Sequence, residues 1–171
     1  MSRRHFLGIS VVIGLGLALL PSIAAGQQKS LKDQLVGTWT LVSWEQVNPD
    51  GSKLQRFGAN PKGINVFDAN GRLFAMYARP DLPKIASGNP STPTPEEAKA
   101  IVGGAIGYFG TYSVNEADKS IVFRLEASSF PNPLLADQKR TVVSLTADEL
   151  KYGNPVPITG GQINYVFRRA N

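Results

Sequence analysis

Apolar and polar residues alternate in short segments from residue 36 to the C-terminus, and Gly and Pro separate these segments. In the segment 120–127 the odd positions are apolar, whereas Arg124 and Glu126 lie on the opposite face. A period of two with one apolar face is typical of antiparallel strands that have one side in water. Frequent turn residues between such segments indicate an all-β protein.

We predict an antiparallel β-barrel of eight or nine strands, because closure removes exposed sheet edges and about eight strands leave room for one small ligand. Ala69-Asn70-Gly71 predicts a type I′ hairpin turn between the third and fourth strands. The predicted strands cover Val36–Val47, Lys53–Phe57, Ile64–Asp68, Arg72–Arg79, Tyr108–Asn115, Ser120–Ala127, Gln138–Thr146, Glu149–Gly153 and Gln162–Arg169.

One short helix is predicted after the fourth strand. Thr94 can cap it, Pro95 has no N–H to lose at the first position, and Glu97 completes a capping box. The loop Pro80–Pro95 comes directly before this helix. Loop and helix together form either a mobile lid or a solvated connector whose helix plugs the barrel end.

Residues 1–26 are predicted to be an export signal. The pair Arg3-Arg4 precedes an apolar run, Gly8–Leu20, that is shorter than the roughly 20 residues needed to span a bilayer. The segment Ser2–Leu7 resembles the twin-arginine motif, which implies export of a folded protein across a bacterial inner membrane. Cleavage between Ala24 and Gln27 leaves one mature domain, residues 27–171, which we expect to be periplasmic or secreted.

The mature domain contains neither His nor Cys, because the chain has no Cys and its single His is His5. This composition excludes metal sites built on His or thiolate, and catalysis by Ser-His-Asp or Cys-His groups. The basic residues of the mature domain lie singly or in pairs, without the clustered patch that nucleic-acid binding needs, which argues against a nucleic-acid partner. We therefore expect no metal, no cofactor and no membrane span in the mature form, and a binding module rather than an enzyme. The oligomeric state stays open.

Several motifs run in order through nearly the whole mature chain: Leu35–Glu45, Asp50-Gly51, Phe57-Gly58, Pro61-x-Gly63, Phe67-Asp68, Asn70-Gly71-Arg72, Tyr108–Tyr112, Ser129–Asn132 and Gln138–Arg140. Together they resemble the bacterial lipocalin-like domain family. The resemblance implies a calycin-type β-barrel whose interior accommodates small hydrophobic molecules, without implying a particular ligand.

Gly37 and Trp39 form a Gly-x-Trp motif in the first strand, and we expect Trp39 to close the barrel floor. The resemblance implies that a late Arg, Arg168 or Arg169, stacks on this Trp and joins the first strand to the last. Trp44 has the opposite strand parity. One of the two tryptophans should therefore face outward unless a bulge intervenes.

Five residues are predicted to contact a ligand: Tyr77, Tyr112, Tyr165, Arg140 and Glu126. Tyrosines combine an aromatic body with a polar tip, although as core residues they need only one hydrogen bond each. An inward Arg140 needs an anion or acceptors, because an unpaired buried guanidinium is costly, and Glu126 or a ligand carboxylate could supply them. The alternative is a solvated Arg140 at the end of a strand.

No catalytic residue is predicted. Glu45, Asp68 and Glu126 are carboxylates within predicted strands, but nothing in their spacing brings two of them together for acid/base work. The favoured function is binding of a small, largely hydrophobic molecule in the cavity of an exported barrel. Two alternatives stay open: a cofactor-free cyclase or isomerase that uses the same cavity, and a cell-envelope interaction module without a ligand.

Overall fold

The chain folds into nine strands and two short helices within the described residues, one helix before the first strand and one between the fourth and fifth strands. The computed structural model describes residues 29–134, 136–157 and 160–170. The predicted export signal, residues 1–26, lies outside the described residues. The elements in chain order are α1 (Leu31–Leu35), β1 (Gly37–Val47), β2 (Lys53–Leu54), β3 (Lys62–Phe67), β4 (Arg72–Ala78), α2 (Pro95–Gly104), β5 (Ala105–Asn115), β6 (Ser120–Ser128), β7 (Asp137–Leu145), β8 (Glu149–Asn154) and β9 (Gln162–Arg169).

The antiparallel sheet closes on itself. Its order is β2-β1-β3-β4-β5-β6-β7-β8-β9, and β1 also pairs with β9. Eight strands therefore form a closed barrel, with β2 as an extra strand on β1 and α2 after β4, which confirms the predicted fold. The second strand ends at Leu54 instead of Phe57, because the chain turns there and Phe57 packs into the core with 1% exposure.

The two ends of the barrel differ in their connections. We call one end the floor; it carries α1 and the tight turns at residues 68–71, 116–119 and 146–148. We call the other end the mouth; it carries the longer connections at residues 48–61, 79–104, 129–136 and 155–161. Long connections can hold side chains away from the strands, so the mouth is the end where a site can be built.

Trp39 and Arg169 close the floor. Trp39 is fully buried, its Nε1 donates to the Leu35 carbonyl at 2.8 Å, and the Arg169 guanidinium lies 4.1 Å from the centre of its ring. Gly37 has a φ of 135°, and a Cβ there would lie 2.8 Å from Nη1 of Arg169. The stacking residue is thus Arg169 and not Arg168, because Arg168 alternates to the exposed face of β9.

A bulge in β1 turns both tryptophans inward. The pairing between β1 and β9 shifts its register between Leu41 and Ser43. One extra residue in a strand reverses the parity of every side chain beyond it. Trp39 and Trp44 are therefore both buried, with 0% and 6% exposure.

The turn between β3 and β4 is not the type I′ hairpin that we predicted. Type I′ needs a positive φ at both central residues, and Asn70 does not have one, whereas Gly71 has a φ of 86°. The Asp68 carbonyl accepts from Gly71 N at 3.1 Å, and Asp68 N donates to the Arg72 carbonyl at 2.9 Å. This pattern is a three-residue loop with a glycine bulge, which needs a left-handed residue at only one position.

Side chains cap both helices. The Thr94 hydroxyl accepts from Glu97 N at 3.2 Å and the Glu97 carboxylate accepts from Thr94 N at 2.8 Å, which confirms the predicted capping box of α2. The sequence pattern did not predict α1. The Glu116 carboxylate accepts from Leu31 N at 3.0 Å and from Lys32 N at 3.2 Å, so this helix depends on a distant turn.

Among the described residues, no helix has both the length and the apolar character needed to cross a membrane.

Candidate functional site

A cavity of about 1190 Å³ opens at the mouth of the barrel. The strands supply its wall, while α2 and the mouth connections supply its rim. Most of its lining is apolar, and a mostly apolar pocket with a few polar groups is typical of small-molecule sites. Its apolar lining includes Trp44, Phe57, Ile106, Leu125, Ile163 and Tyr165.

Aromatic side chains form one side of the cavity. The Trp44 ring lies 5.4 Å from the Phe57 ring and 6.4 Å from the Tyr165 ring, centre to centre, and both contacts are edge-to-face. Such pairs add about 0.5–1.5 kcal/mol each beyond the burial of their area. The bulge in β1 is what brings Trp44 into this wall, since an unbroken strand would turn it outward.

A polar cluster of four side chains lies inside the barrel: Asn65, Tyr77, Tyr108 and Tyr152. Asn65 is fully buried; its Oδ1 accepts from the Tyr77 hydroxyl and its Nδ2 donates to the Tyr152 hydroxyl at 2.7 Å. The hydroxyls of Tyr77 and Tyr108 lie 3.2 Å apart. Tyr77 and Tyr108 line the cavity, so this cluster presents phenol groups to it.

Burial keeps the tyrosines of this cluster protonated. Burial raises the pKa of Tyr77 and of Tyr152 well above the ordinary value of 10.0, and neighbouring tyrosines add to the effect. Burial, and then the neighbouring Tyr165, also raise the pKa of Tyr108, against the opposing effect of the Arg140 charge. All three phenols are therefore neutral at physiological pH and can donate or accept hydrogen bonds.

Arg140 brings a positive charge into the lining of the cavity. It is 6% exposed, and no other charged side chain of the described residues is buried. Its Nη1 donates to the Lys139 carbonyl and its Nη2 donates to Oε1 of Gln138, both at 3.1 Å. The guanidinium carbon lies 5.2 Å from the centre of the Phe123 ring. All these partners are uncharged at the contacting atoms.

Arg56 ties α2 to the rim of the cavity. Its Nε donates to the Gly103 carbonyl at 2.8 Å and its Nη2 donates to the Val102 carbonyl at 2.9 Å. These carbonyls belong to the last turn of α2, where the helix dipole favours a cation. Partial burial lowers the pKa of Arg56, which stays charged at physiological pH.

Three of the five predicted ligand contacts line the cavity: Tyr77, Tyr165 and Arg140. Arg140 is buried in the wall, so the alternative of a solvated strand end does not apply. The Tyr165 hydroxyl forms no hydrogen bond within the part of the chain that the structure describes. The lining of the cavity therefore includes phenols and, in Arg140, one buried guanidinium among apolar groups.

The other two predicted contacts, Tyr112 and Glu126, lie outside the cavity, which corrects that expectation. The Tyr112 hydroxyl donates to the Asp68 carbonyl at 2.7 Å, in the turn at the floor. Glu126 is on the outward face of β6, where its Oε2 accepts from Nη2 of Arg72 at 3.0 Å. Tyr112 faces inward but lies at the floor, away from the cavity. Glu126 faces outward, because alternate residues of a strand point to opposite faces of the sheet.

Sequence reasoning missed the other members of the polar cluster and Gln138 as site residues. Asn65 carried a usable signal, because Asn is depleted in strands and this one shares the parity of the buried Phe67. Tyr108 and Tyr152 carried a weaker signal, since inward tyrosines are as common in cores as in sites. Gln138 carried no such signal. It contacts Arg140 on the same face of one strand, but a Gln and an Arg at the start of a strand are expected to lie in solvent.

A family model for a lipocalin-like domain matches residues 36–162. No curated protein matches the chain. Among solved structures, an NMR structure of a protein from Bacteroides uniformis ATCC 8492 has 16% identity and a TM-score of 0.45, over 82% of this chain and 92% of that chain. A redesigned β-barrel has 14% identity and a TM-score of 0.44, over 84% of this chain and 98% of that chain. The family match spans most of the chain, and the chain therefore belongs to the lipocalin-like domain family.

Proposed function

We propose that this protein binds a small, largely hydrophobic molecule in the cavity at the barrel mouth. The observation that carries this proposal is the open cavity of about 1190 Å³ with its aromatic and aliphatic lining. Small-molecule sites typically have about 300–1,000 Å³ and a few convergent polar groups. Burial of apolar ligand surface there stabilises the complex by about 25 cal/mol per Å².

Membership in the lipocalin-like domain family supports the same proposal, because a closed barrel with one open end is a scaffold for a single enclosed ligand. The polar cluster supplies neutral hydrogen-bond donors that can orient a ligand without holding it tightly by charge. Direct detection of a bound molecule would identify the ligand. Native mass spectrometry of the protein purified from its own cells should reveal a bound mass.

A neutral fluorescent probe tests the cavity directly. N-phenyl-1-naphthylamine should bind the purified protein with increased fluorescence, and Leu125→Trp should weaken that binding by about tenfold, since the indole occupies part of the cavity. Val143→Trp is the matched control, because Val143 is 69% exposed on the outer face of β7 and the same substitution leaves the cavity unchanged. Absence of probe binding to the unaltered protein, or equal binding by the two variants, would contradict the proposal.

We further propose that residues 1–26 export the protein, so that binding takes place in the periplasm or outside the cell. The support comes from sequence alone: Arg3-Arg4 in a twin-arginine motif and a short apolar run that follows it. The substitution Arg3-Arg4→Lys-Lys should leave the precursor in the cytoplasm, as measured by cell fractionation. Normal export of this variant would point to the general secretory route instead.

A further inference from the structure

The charge of Arg140 differs in its surroundings from the other cations around the cavity. Arg56 is held by the helix carbonyls of Gly103 and Val102, and Arg79 pairs with Asp81 at 2.7 Å near solvent. Lys99 is exposed on α2, and Lys139 pairs with Asp118 at 2.6 Å. Arg140 combines 94% burial with a place in the cavity lining, since only 6% of it is exposed.

The hydrogen-bonding capacity of Arg140 is only partly used. A guanidinium has five N–H donors in a planar fork. Arg140 donates to two oxygens, the backbone carbonyl of Lys139 and the side-chain oxygen of Gln138. Its buried Nε has no hydrogen-bond partner among the described residues. The Phe123 ring at 5.2 Å offers a cation–π contact, which is weaker than a paired charge.

No carboxylate of this chain neutralises that charge within the described residues. All 13 Asp and Glu side chains of the sequence belong to those residues. The ion pairs that the structure contains there join other groups, including Glu126 with Arg72 on the outer face. A buried charge without a counter-charge costs free energy, and an anionic ligand would offset that cost.

We propose that Arg140 binds the anionic head group of the cavity ligand, which makes that ligand an amphiphilic monoanion, an apolar body that ends in a carboxylate. This inference rests on the proposed binding function and names its ligand class. Among the described residues that line the cavity, Arg140 carries the one buried charge, and its planar fork fits the two oxygens of a single carboxylate. The apolar body of the ligand would lie against the aromatic wall formed by Trp44, Phe57 and Tyr165.

No carboxylate pairs with Arg140 among the described residues, so its charge contributes to the fold only through two hydrogen bonds to neutral oxygens and the cation–π contact with Phe123. Burial of an unpaired charge costs free energy, and an apolar residue of similar length avoids that cost. A buried Arg at this position therefore fits a binding role that lowers the stability of the fold. Arg140→Met keeps the unbranched apolar stem and removes the charge, so it isolates the electrostatic contribution.

The test compares two fluorescent probes that differ in charge alone at one end. 11-(Dansylamino)undecanoic acid and its methyl ester share the fluorophore and the apolar chain. The unaltered protein should bind the acid about tenfold more tightly than the ester. In Arg140→Met the affinity for the acid should fall to that for the ester, while the ester should bind as before and the melting temperature should not fall.

Arg124→Met is the matched control, because the Arg124 side chain is 62% exposed on the outer face of the neighbouring strand. It should keep the full preference for the acid. Excess sodium acetate should not displace the acid probe, since the head group alone lacks the apolar contacts; displacement by acetate would overturn the amphiphilic class and leave a simple anion site.

The outcomes separate the two proposals. If neither probe binds the unaltered protein, the binding function itself is wrong. If acid and ester bind equally well, the cavity function stands and the head-group site at Arg140 is wrong. This comparison uses the unaltered protein, so it decides the question even if Arg140→Met does not fold.

Discussion

Two arginines at opposite ends of the barrel illustrate different uses of the same side chain. Arg169 at the floor stacks on Trp39 and donates to the carbonyls of Val36 at 3.0 Å and Gln34 at 2.6 Å. Its donors are well satisfied by the chain itself, which is typical of a structural arginine. Arg140 toward the mouth has two acceptors, the Lys139 carbonyl and Oε1 of Gln138, and its Nε has none among the described residues, which is one basis for the proposal that it binds a ligand.

Arg169→Ala should destabilise the barrel without weakening ligand binding. The change removes a cation–π contact and hydrogen bonds to the carbonyls of Val36, Gln34 and Ala147. We therefore expect the free energy of unfolding to fall by about 2–4 kcal/mol. Thermal and urea unfolding measure this loss, and probe titration measures binding. Arg168→Ala is the control, since its exposed side chain should leave the stability within about 0.5 kcal/mol. A larger loss in the Arg168 variant would contradict the assignment of Arg169 as the stacking residue.

Tyr77→Phe should weaken the fold, because it leaves Oδ1 of the fully buried Asn65 without its donor. We expect a loss of about 1–3 kcal/mol in the free energy of unfolding at neutral pH. Tyr112→Phe is a milder comparison, since its hydroxyl donates to a partly buried carbonyl near the floor. Equal losses in the two variants would mean that the polar cluster contributes nothing beyond an ordinary hydrogen bond.

The buried phenols also predict how stability changes at high pH. The pKa of Tyr77 and of Tyr152 is raised above 10.0 by burial, so the folded state keeps protons that the unfolded state releases. Stability is therefore fully present below about pH 10 and falls as the pH rises above it, by up to about 1.4 kcal/mol per pH unit for each such tyrosine. Urea unfolding between about pH 9 and about pH 11.5 measures the slope. Tyr77→Phe should make it shallower, and an unchanged slope would contradict the burial argument.

Among the elements, β1 and α2 decide the shape of the site. The bulge in β1 between Leu41 and Ser43 lets one strand supply Trp39 to the floor and Trp44 to the cavity wall. α2 lies at the rim of the cavity, where Arg56 donates hydrogen bonds to the last carbonyls of the helix. The helix itself is short, so its stability depends on these contacts more than on its own propensity.

Arg56→Gln should loosen α2 while the barrel stays folded. The variant loses the charged donors at the helix C-terminus, so we expect faster hydrogen exchange of the amides in Pro95–Gly104 and unchanged exchange in β4 and β5. Hydrogen exchange with mass spectrometry measures both regions. Lys99→Gln is the matched control, since Lys99 is exposed on the same helix. Equal exchange in the two variants would show that Arg56 does not anchor the helix.

In the whole molecule, closure through the β1–β9 pairing leaves one tight end and one loose end. The tight turns hold the floor, where Trp39 is fully buried, and the long connections surround the cavity. A barrel with this asymmetry can be stable and open at the same time, because its core fills one half and its site occupies the other.

Insertions should therefore be tolerated at the mouth and not at the floor. A flexible Gly-Ser segment between the exposed residues Pro83 and Lys84 should cost less than about 1 kcal/mol, since loop entropy grows slowly with length. The same segment between Asn70 and Gly71 interrupts a hydrogen-bonded turn and should cost about 2 kcal/mol. Urea unfolding of the two variants gives the comparison, and equal losses would contradict the difference between the ends.

Much of the fold and part of the site were predictable from local patterns. The capping box at Thr94 and Glu97 was predictable because both groups belong to one helical turn. Tyr77 and Tyr165 were predictable as cavity residues through their strand parity. Glu126 was not, because its Arg72 partner lies on another strand and sequence spacing does not report which residues face each other across the sheet.

The sequence by itself determined the class of fold, since a period of two between Gly and Pro turns can bury its apolar face only in a sheet. It also determined that residues 27–171 contain neither His nor Cys, because composition does not depend on structure. Only the tertiary structure decided that Trp44 faces inward, that Arg169 stacks on Trp39, and that Arg140 is buried without a carboxylate. The reason is register: a bulge of one residue reverses every side chain beyond it, and long-range pairing chooses where the bulge lies.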